Sequence, residues 1–254
     1  MQALKDNVIL ITGSSRGIGN AIAKKCALEG ADIVINYRKA GGASQAQAEK
    51  LREEIERMGR RTLMVKADIA RKDSVKNLFS EISAHFGRLD CLILNAAKAP
   101  FKSFEKLLER ELRQLVETNY MGNIFCIQEA RSLLEKSKGT IVFISSLGSR
   151  FYNPAYPLGS MKAAMESVVR DCAESLRGKI SANAVCGGIV KTDSFKVLRQ
   201  YWEEIDKFPE EVFVEPDEIA DVVLFLCSPA SRGISGQTII VDRGMSNALF
   251  RQIR

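Results

Sequence analysis

Residues 8–30 read VILITGSSRGIGNAIAKKCALEG. The apolar run Val8–Thr12 predicts a buried strand, and Ile18–Glu29 predicts the helix that follows it. Between them, glycines at 13, 17 and 19 permit a tight turn whose backbone N–H groups can approach a pyrophosphate at the positive end of the helix. A glycine-rich turn without a ligand is the alternative. The succession of strand, glycine turn and helix at the start of a βαβ unit favours a dinucleotide site.

Strands and helices continue to alternate outward from this unit. The predicted strands are Val8–Thr12, Asp32–Asn36, Thr62–Lys66, Cys91–Asn95, Thr140–Ser145, Ser181–Val185 and Thr238–Val241. The predicted helices are Ile18–Glu29, Ser44–Met58, Asp73–Phe86, Glu105–Ser137 with a break in its middle, Gly159–Leu176 and Pro216–Cys227. Continuously apolar strands are typical of sheets covered on both faces. We therefore predict an α/β fold, a Rossmann-like doubly wound parallel sheet of about seven strands, in one domain over residues 1–254.

Composition excludes several classes of function. The 6 cysteines form no CxxC pair and the only histidine is His85, so the sequence predicts no disulfide framework and no metal site. The net charge of +6 is dispersed among helices, which disfavours nucleic-acid binding but suits an acidic partner or an anionic cofactor. Because the sequence shows neither a signal peptide nor an apolar run of roughly 20 residues, we expect a cytoplasmic protein without a membrane segment.

The end of the second strand indicates which dinucleotide is preferred. An NAD site places a carboxylate there to bind the ribose 2′-hydroxyl. Here the chain reads Asn36-Tyr37-Arg38-Lys39, with no acid, and Arg16 lies in the glycine turn. Two guanidinium groups favour a 2′-phosphate, so the sequence predicts NADP(H), unless Arg38 and Lys39 form only an exposed basic turn.

Motifs along most of the chain resemble those of the short-chain dehydrogenase/reductase family. They are Thr12-Gly13-x-x-x-Gly17-x-Gly19, Asp68-Ile69, Asn95-Ala96-Ala97, Asn119, Ser145-Ser146, Lys162, Gly188 to Thr192, Gly236-Gln237-Thr238 and Val241-Asp242. The resemblance implies cofactor contacts from Gly13, Ser15, Arg16, Gly17, Ile18, Gly19, Tyr37, Arg38, Asp68, Ile69, Asn95, Ala96, Lys162, Gly188 and Thr192. It also implies catalytic roles for Asn119, for Ser145 or Ser146, and for Lys162. Leu94 and Gly187 depart from the family pattern, where Asn and Pro are usual.

Within that family, the chain is most similar to a subclass of NADPH-dependent enoyl-acyl-carrier-protein reductases. The shared features are Ser145-Ser146-Leu147-Gly148-Ser149, a tyrosine soon after it, Gly187-Gly188 and Gly236–Asp242. The resemblance implies reduction of an acyl thioester, on acyl carrier protein, in fatty-acid or related acyl-chain biosynthesis. It also implies a homo-oligomer, a dimer or tetramer, formed through the helices around Asn119 and Lys162.

The catalytic tyrosine is the point at which the residues depart from the family. In most members a tyrosine lies four residues before the lysine, on the same helical face, but here that position is Leu158. Tyr156 lies six residues before Lys162, a rotation of about 240° along a helix. Because Pro157 favours the first helical position, Tyr156 is expected in an extended entry to the helix, where that rotation does not apply. Tyr156 is the first candidate proton donor or oxyanion partner, Tyr152 is the second, and packing roles for both are the alternative.

Segment 192–215 interrupts the alternation of strands and helices and contains several aromatic residues. It predicts either a substrate lid or a helical hairpin that packs its own aromatic side chains.

The predicted function is NADPH-dependent reduction of an enoyl thioester. A 3-oxoacyl or polyketide ketoreductase and a cofactor-binding member without turnover are the alternatives, and Leu158 counts against the ketoreductase.

Overall fold

The computed structural model describes residues 2–247, and seven parallel strands form one sheet. The strands are β1 (Val8–Ile11), β2 (Asp32–Tyr37), β3 (Thr62–Lys66), β4 (Cys91–Leu94), β5 (Thr140–Ser146), β6 (Ser181–Gly187) and β7 (Thr238–Val241). Their order in the sheet is β3-β2-β1-β4-β5-β6-β7. The strand order reverses between β1 and β4, and ligands of such sheets bind at that point, beyond the carboxyl ends of the strands.

Eight α-helices connect the strands or follow them within the described residues. They are α1 (Gly17–Leu28), α2 (Ala43–Arg57), α3 (Lys72–Phe86), α4 (Glu109–Val116), α5 (Gly122–Ser137), α6 (Gly159–Ser175), α7 (Asp193–Leu198) and α8 (Pro216–Cys227). The predicted fold class is confirmed, and the strand and helix bounds agree to within one or two residues except in segment 105–137.

That segment contains a π-turn and begins later than predicted. Residues 105–108 are not α-helical, and α4 and α5 are separated by a π-helical turn over Glu117–Met121. The break that the sequence predicted is this wide turn, and the chain does not leave the helical path there. A single π-turn inside a helix is a feature often found at functional sites.

The sheet separates two apolar cores. One lies between the strands and α3, α5 and α6, where Leu78, Leu134 and Met165 are fully buried. The other lies between the strands and α1, α2 and α8, where Ile22 and Val223 are fully buried. Each central strand is therefore covered on both faces, which explains why its sequence is continuously apolar.

Two further findings bear on function. Within residues 2–247 no helix is long and apolar enough to span a membrane. The same part of the chain contains no group of three or more His, Cys, Asp or Glu side chains placed to hold a metal ion.

Candidate active site

The glycine turn is held in place by two asparagine side chains. Asn36, buried at the end of β2, accepts from the Gly13 backbone N–H through its Oδ1 at 3.0 Å and donates through Nδ2 to the Ala67 carbonyl at 3.1 Å. Asn95, just after β4, donates through Nδ2 to the carbonyls of Thr12 and Gly13 at 2.8 and 3.0 Å. These bonds join the carboxyl ends of β1, β2 and β4, so the turn is shaped before any ligand binds.

The local geometry of this turn fits a dinucleotide. Gly13 and Gly17 have φ of +65° and +57°, values that favour glycine. A Cβ on Gly19 would lie 2.6 Å from both the Asn95 Nδ2 and the Gly13 carbonyl oxygen. The first turn of α1 has no acidic residue, and the Arg16 N-cap makes no side-chain capping bond. Its N–H groups therefore remain available to the pyrophosphate of NAD(P)H.

A groove beyond the carboxyl ends of β2 and β3 is lined by charged side chains. It has a volume of ≈ 390 Å³ and is lined by Arg38, Asp68, Arg71, Lys72 and Lys98, among others. The sequence predicted Arg38 and Asp68 here but missed the other three, because they approach from the start of α3 and from the loop after β4. The lining also includes Asp73 and Glu117, so four cationic and three acidic side chains meet in the groove, and its cations are of the kind that binds phosphate groups.

Of three further residues predicted to contact the cofactor, Thr192 lies beside the glycine turn, whereas the side chains of Tyr37 and Ile69 point into the protein core. Thr192, the N-cap of α7, has its methyl group 3.6 Å from the position of a Cβ on Gly17. The Tyr37 and Ile69 side chains are buried in the two cores of the sheet. Any cofactor contact that Tyr37 and Ile69 make is therefore through backbone atoms.

Gly188, directly after β6, packs against the end of β7. A Cβ at this position would lie 2.9 Å from the Cβ of Asp242. The Gly188 N–H donates to the Val241 carbonyl at 2.9 Å. Glycine at 188 therefore lets the strand end approach the β7 end closely enough to direct the chain toward the site.

Lys162, a candidate catalytic residue on α6, is a buried ammonium held against β5. Its Nζ donates to the Ile144 carbonyl at 2.6 Å and lies 4.7 Å from the centre of the Phe143 ring. Burial lowers the pKa of Lys162 to about 8, and the nearby Cys186 and Glu166 oppose that shift. A lysine whose pKa is lowered to about 8 exchanges its proton more readily than an ordinary lysine, so it can act in proton supply as well as in binding.

The position four residues before Lys162 is occupied by a buried leucine. Leu158, which is 2 % exposed, is the N-cap of α6, and Tyr156 precedes it outside the helix. The helix begins at Gly159, two residues after Pro157. The expectation that Pro157 takes the first helical position is therefore wrong by two residues, while Tyr156 does lie outside the helix, so the rotation along a helix does not apply to it.

Tyr156 and Tyr152 lie in different environments. The Tyr156 ring stacks on Phe101, with ring centres 5.0 Å apart and planes 20° apart, and burial raises the pKa of Tyr156 to about 12. A phenol with that pKa remains protonated at neutral pH and can donate a hydrogen bond. Tyr152 is 79 % exposed.

Asn119 lies in the π-turn and joins it to the loop after β4. Its Nδ2 donates to the Lys98 carbonyl at 2.7 Å, and its Oδ1 accepts from the Lys98 N–H at 3.0 Å. The side chain is 1 % exposed. Asn119 thus fixes the position of Lys98, one of the basic residues of the groove.

The two serines at the end of β5 face different surroundings. Ser145, 4 % exposed, donates through its hydroxyl to Glu166 at 2.5 Å, while Ser146 is half-buried at the strand end, where the loop begins. The structure therefore turns Ser145 toward α6, and Ser146 is the less buried of the two. The buried Glu166 was missed in the sequence because a single acid in an amphipathic helix usually faces solvent.

Segment 192–215 packs aromatic side chains and also contributes one to the site. Phe195 contacts Phe213 with ring centres 5.3 Å apart, and Trp202 contacts Phe208. Tyr201 stacks on Phe101 at 6.0 Å. These contacts agree with the interpretation that the segment packs its own aromatic side chains, and the substrate lid stays a prediction.

Comparison with known proteins gives a consistent set of relatives. A family model described as enoyl-(acyl carrier protein) reductase matches residues 13–246. A 1-cyclohexenylcarbonyl-CoA reductase of Streptomyces collinus is 36 % identical over 94 % of this chain and 86 % of its own. The 3-oxoacyl-[acyl-carrier-protein] reductase FabG of Staphylococcus epidermidis is 32 % identical over 93 % of this chain and 97 % of its own. A 7α-hydroxysteroid dehydrogenase solved with NADH and 7-oxo glycochenodeoxycholic acid superposes with a TM-score of 0.87, at 28 % identity, covering 96 % of this chain and 95 % of that one.

Proposed function

Since the chain belongs to the short-chain dehydrogenase/reductase family of oxidoreductases, we propose that it uses NADPH to reduce the carbon–carbon double bond of an enoyl thioester. The observation that carries the proposal is that the residue four before Lys162 is a leucine and that the nearest tyrosine, Tyr156, lies outside the helix. A buried leucine stands where a ketone-reducing member needs its proton donor, and Tyr156 brings a protonated phenol from the preceding loop. The family model that matches and the S. collinus relative both have names of enoyl-type reductases.

The residues of the site have distinct tasks in this reaction. NADPH, when bound, supplies the hydride that adds to the β-carbon. The double-bond electrons move to the thioester oxygen, and Tyr156 donates a hydrogen bond to that oxygen, with Ser146 as a second donor. A proton then adds to the α-carbon and gives the saturated thioester. Lys162 binds the ribose and supports proton supply, and Asn119 maintains the loop that carries Lys98.

We also propose that residues 1–254 form one domain in which segment 192–215 is the substrate lid. The single sheet and the stacking of Tyr201 on Phe101 support this arrangement. A closing lid excludes water from the reacting carbons. The basic surface suits an acidic acyl carrier protein as the carrier of the thioester.

A 3-oxoacyl ketoreductase is the second candidate, and the similarity to FabG favours it. The two functions are separated by measuring kcat/KM for an enoyl thioester and for a 3-oxoacyl thioester, with NADPH oxidation followed by absorbance. We expect the enoyl substrate to be preferred by about tenfold or more, since a missing proton donor costs at least that much in ketone reduction. A preference for the 3-oxoacyl substrate would contradict the proposal, and binding of NADPH without turnover of either would indicate a member that binds cofactor only.

Replacing Arg38 with alanine should weaken NADPH binding by about tenfold and leave NADH binding nearly unchanged, because only NADPH has a phosphate for the guanidinium to bind. Fluorescence titration with both cofactors measures the two dissociation constants. Arg57→Ala, an exposed arginine of α2, is the matched control. Equal weakening for both cofactors would contradict the NADP preference.

A third prediction concerns the oligomer. Leu108, Leu112 and Val116 lie four residues apart at the start of α4 and along it, on one face, and are 48 %, 43 % and 40 % exposed. We expect this stripe to form a subunit interface, so Leu112→Glu should reduce the oligomer to a smaller species. Light scattering after gel filtration measures the mass, with Leu28→Glu on α1 as the control. An unchanged mass in the α4 variant would place the interface elsewhere.

A further inference from the structure

Glu166 is a buried carboxylate with hydroxyl donors from two places in the chain. It is 7 % exposed. Its Oε1 accepts from the Ser145 hydroxyl at 2.5 Å and from the Ser149 hydroxyl at 2.7 Å, and its Oε2 lies 3.5 Å from the Arg150 guanidinium. A buried carboxylate is costly unless such donors satisfy it, and here three side chains are arranged around it.

The donors come from the end of β5 and from the loop that follows it. Ser145 belongs to β5, while Ser149 and Arg150 begin the loop of residues 147–158. Glu166 belongs to α6. The carboxylate therefore joins three consecutive parts of the chain: the strand, the loop and the helix.

Glu166 and Lys162 hold neighbouring residues of the same strand. They are four residues apart on α6, so they share a face of the helix. Lys162 donates to the Ile144 carbonyl and Glu166 accepts from the Ser145 hydroxyl. The ammonium and the carboxylate together fix α6 against the end of β5, where Ser146 lies.

The loop is attached to α6 at one more point, through its backbone. A Cβ on Gly159 would overlap the Gly148 carbonyl, so the first residues of the loop and of α6 are in direct backbone contact. Farther along, the one side-chain hydrogen bond of Asn153–Tyr156 in the described structure is local, from the Ala155 N–H to Asn153. The backbone of this part of the loop is therefore held from the beginning of the loop and from α6, while the Tyr156 ring is held by its stack on Phe101.

We propose that Glu166 is a positioning residue, which holds the loop through Ser149 and Arg150 and the strand through Ser145, and so sets where Ser146 and Tyr156 meet the substrate. This inference rests on the proposed function for its kinetic consequences. Its structural content, a loop ordered by one carboxylate, stands without that function. Glu166 touches no reacting atom and acts through the groups that it holds.

The first test is kinetic and uses Glu166→Gln, which keeps the shape and removes the charge, together with Glu166→Ala. With rates expressed per NADPH-binding site, we expect kcat for the enoyl thioester to fall about tenfold in the first and about a hundredfold in the second. Misplacing a reacting group by about 1 Å has an effect of that size. The dissociation constant of NADPH should change little, because the glycine turn is held by Asn36 and Asn95. Glu174→Gln, an exposed acid of the same helix paired with Arg177, is the control.

A pH profile separates positioning from a general loss of stability. The titratable groups around Lys162 are the Glu166 carboxylate on α6 and the Cys186 thiol on β6, whose pKa burial raises to about 11, and the Arg150 guanidinium lies beside both. Because the negative charge of Glu166 raises the pKa of Lys162, Glu166→Gln should move the alkaline limb of kcat/KM to lower pH. A merely structural defect would lower the active fraction without moving that limb.

Hydrogen exchange tests the inference independently of turnover. In Glu166→Gln we expect faster amide exchange in residues 147–158, with no change in the glycine turn. If the wild type does not reduce enoyl thioesters, the proposed function fails, and this measurement still decides the role of Glu166. Unchanged exchange in 147–158, or unchanged kcat and pH profile in an active wild-type background, would overturn the proposal.

Discussion

Replacing Lys162 with methionine is expected to reduce turnover by a factor of about 10² to 10⁴, the range typical of a lost proton-transfer group. The fold should be at least as stable as the wild type at pH 7. Lys162 is 5 % exposed, and its ammonium donates to one carbonyl, so a methionine of similar length removes a desolvated charge. Loss of activity without loss of stability would distinguish a functional lysine from a structural one.

The pH dependence has a defined sign. The pKa of Lys162 is lowered from 10.5 to about 8 in the folded chain. Between those values the unfolded chain binds more protons than the folded chain, so the contribution of this residue to stability increases with pH. In the same window the ammonium is lost, so kcat/KM of the wild type should decline above pH 8 as its binding and proton-supply roles weaken.

Melting temperatures and kcat/KM from pH 6 to 10 measure both effects. Lys136→Met, an exposed lysine of α5, is the control and should behave as the wild type. Lys162→Met should lack the rise in stability above pH 8. Retention of more than about half of the wild-type kcat would contradict the role given to this lysine.

Tyr156→Phe is the second substitution with a large expected effect, a loss of about 10² to 10³ in kcat, the usual result of removing one oxyanion donor. Phenylalanine keeps the ring that stacks on Phe101 and removes only the hydroxyl. KM for the thioester should change less than kcat, since the hydrogen bond strengthens as the oxyanion forms.

Tyr152→Phe is the matched control for the same hydroxyl. Tyr152 is 79 % exposed, so its variant should retain nearly full activity. The opposite result, with Tyr152 essential and Tyr156 dispensable, would require segment 147–158 to rearrange when substrate binds. If both variants kept wild-type activity, neither tyrosine would take part in the mechanism.

The fold and the cofactor turn were predictable because they depend on local patterns. Apolar runs between amphipathic stretches gave the parallel sheet, and Gly13, Gly17 and Gly19 gave the turn between β1 and α1. The side-chain role of Asn36 was not predictable, because its partners Gly13 and Ala67 come from two other strand ends. Such contacts depend on strand order, which the periodicity of one segment does not contain.

The candidate catalytic site was predictable in part. The residue spacing identifies Lys162 and shows that Leu158 replaces the usual tyrosine. It does not show which of Ser145 and Ser146 is the catalytic candidate. That choice depends on Glu166, whose hydroxyl partners are 17 and 21 residues away. The wide turn at Glu117–Met121 likewise has no simple signal in hydrophobic periodicity, since one added residue shifts the pattern only slightly.

The most direct test of the account follows the hydride itself. The protein is incubated with NADPH that has deuterium at the transferable position of the nicotinamide, and with an enoyl thioester or a 3-oxoacyl thioester. Mass spectrometry and NMR then identify the product and the labelled carbon. The account predicts a saturated thioester with deuterium at the β-carbon from the enoyl substrate. Label found only in a 3-hydroxyacyl product from the 3-oxoacyl substrate, with the enoyl thioester unchanged, would contradict it.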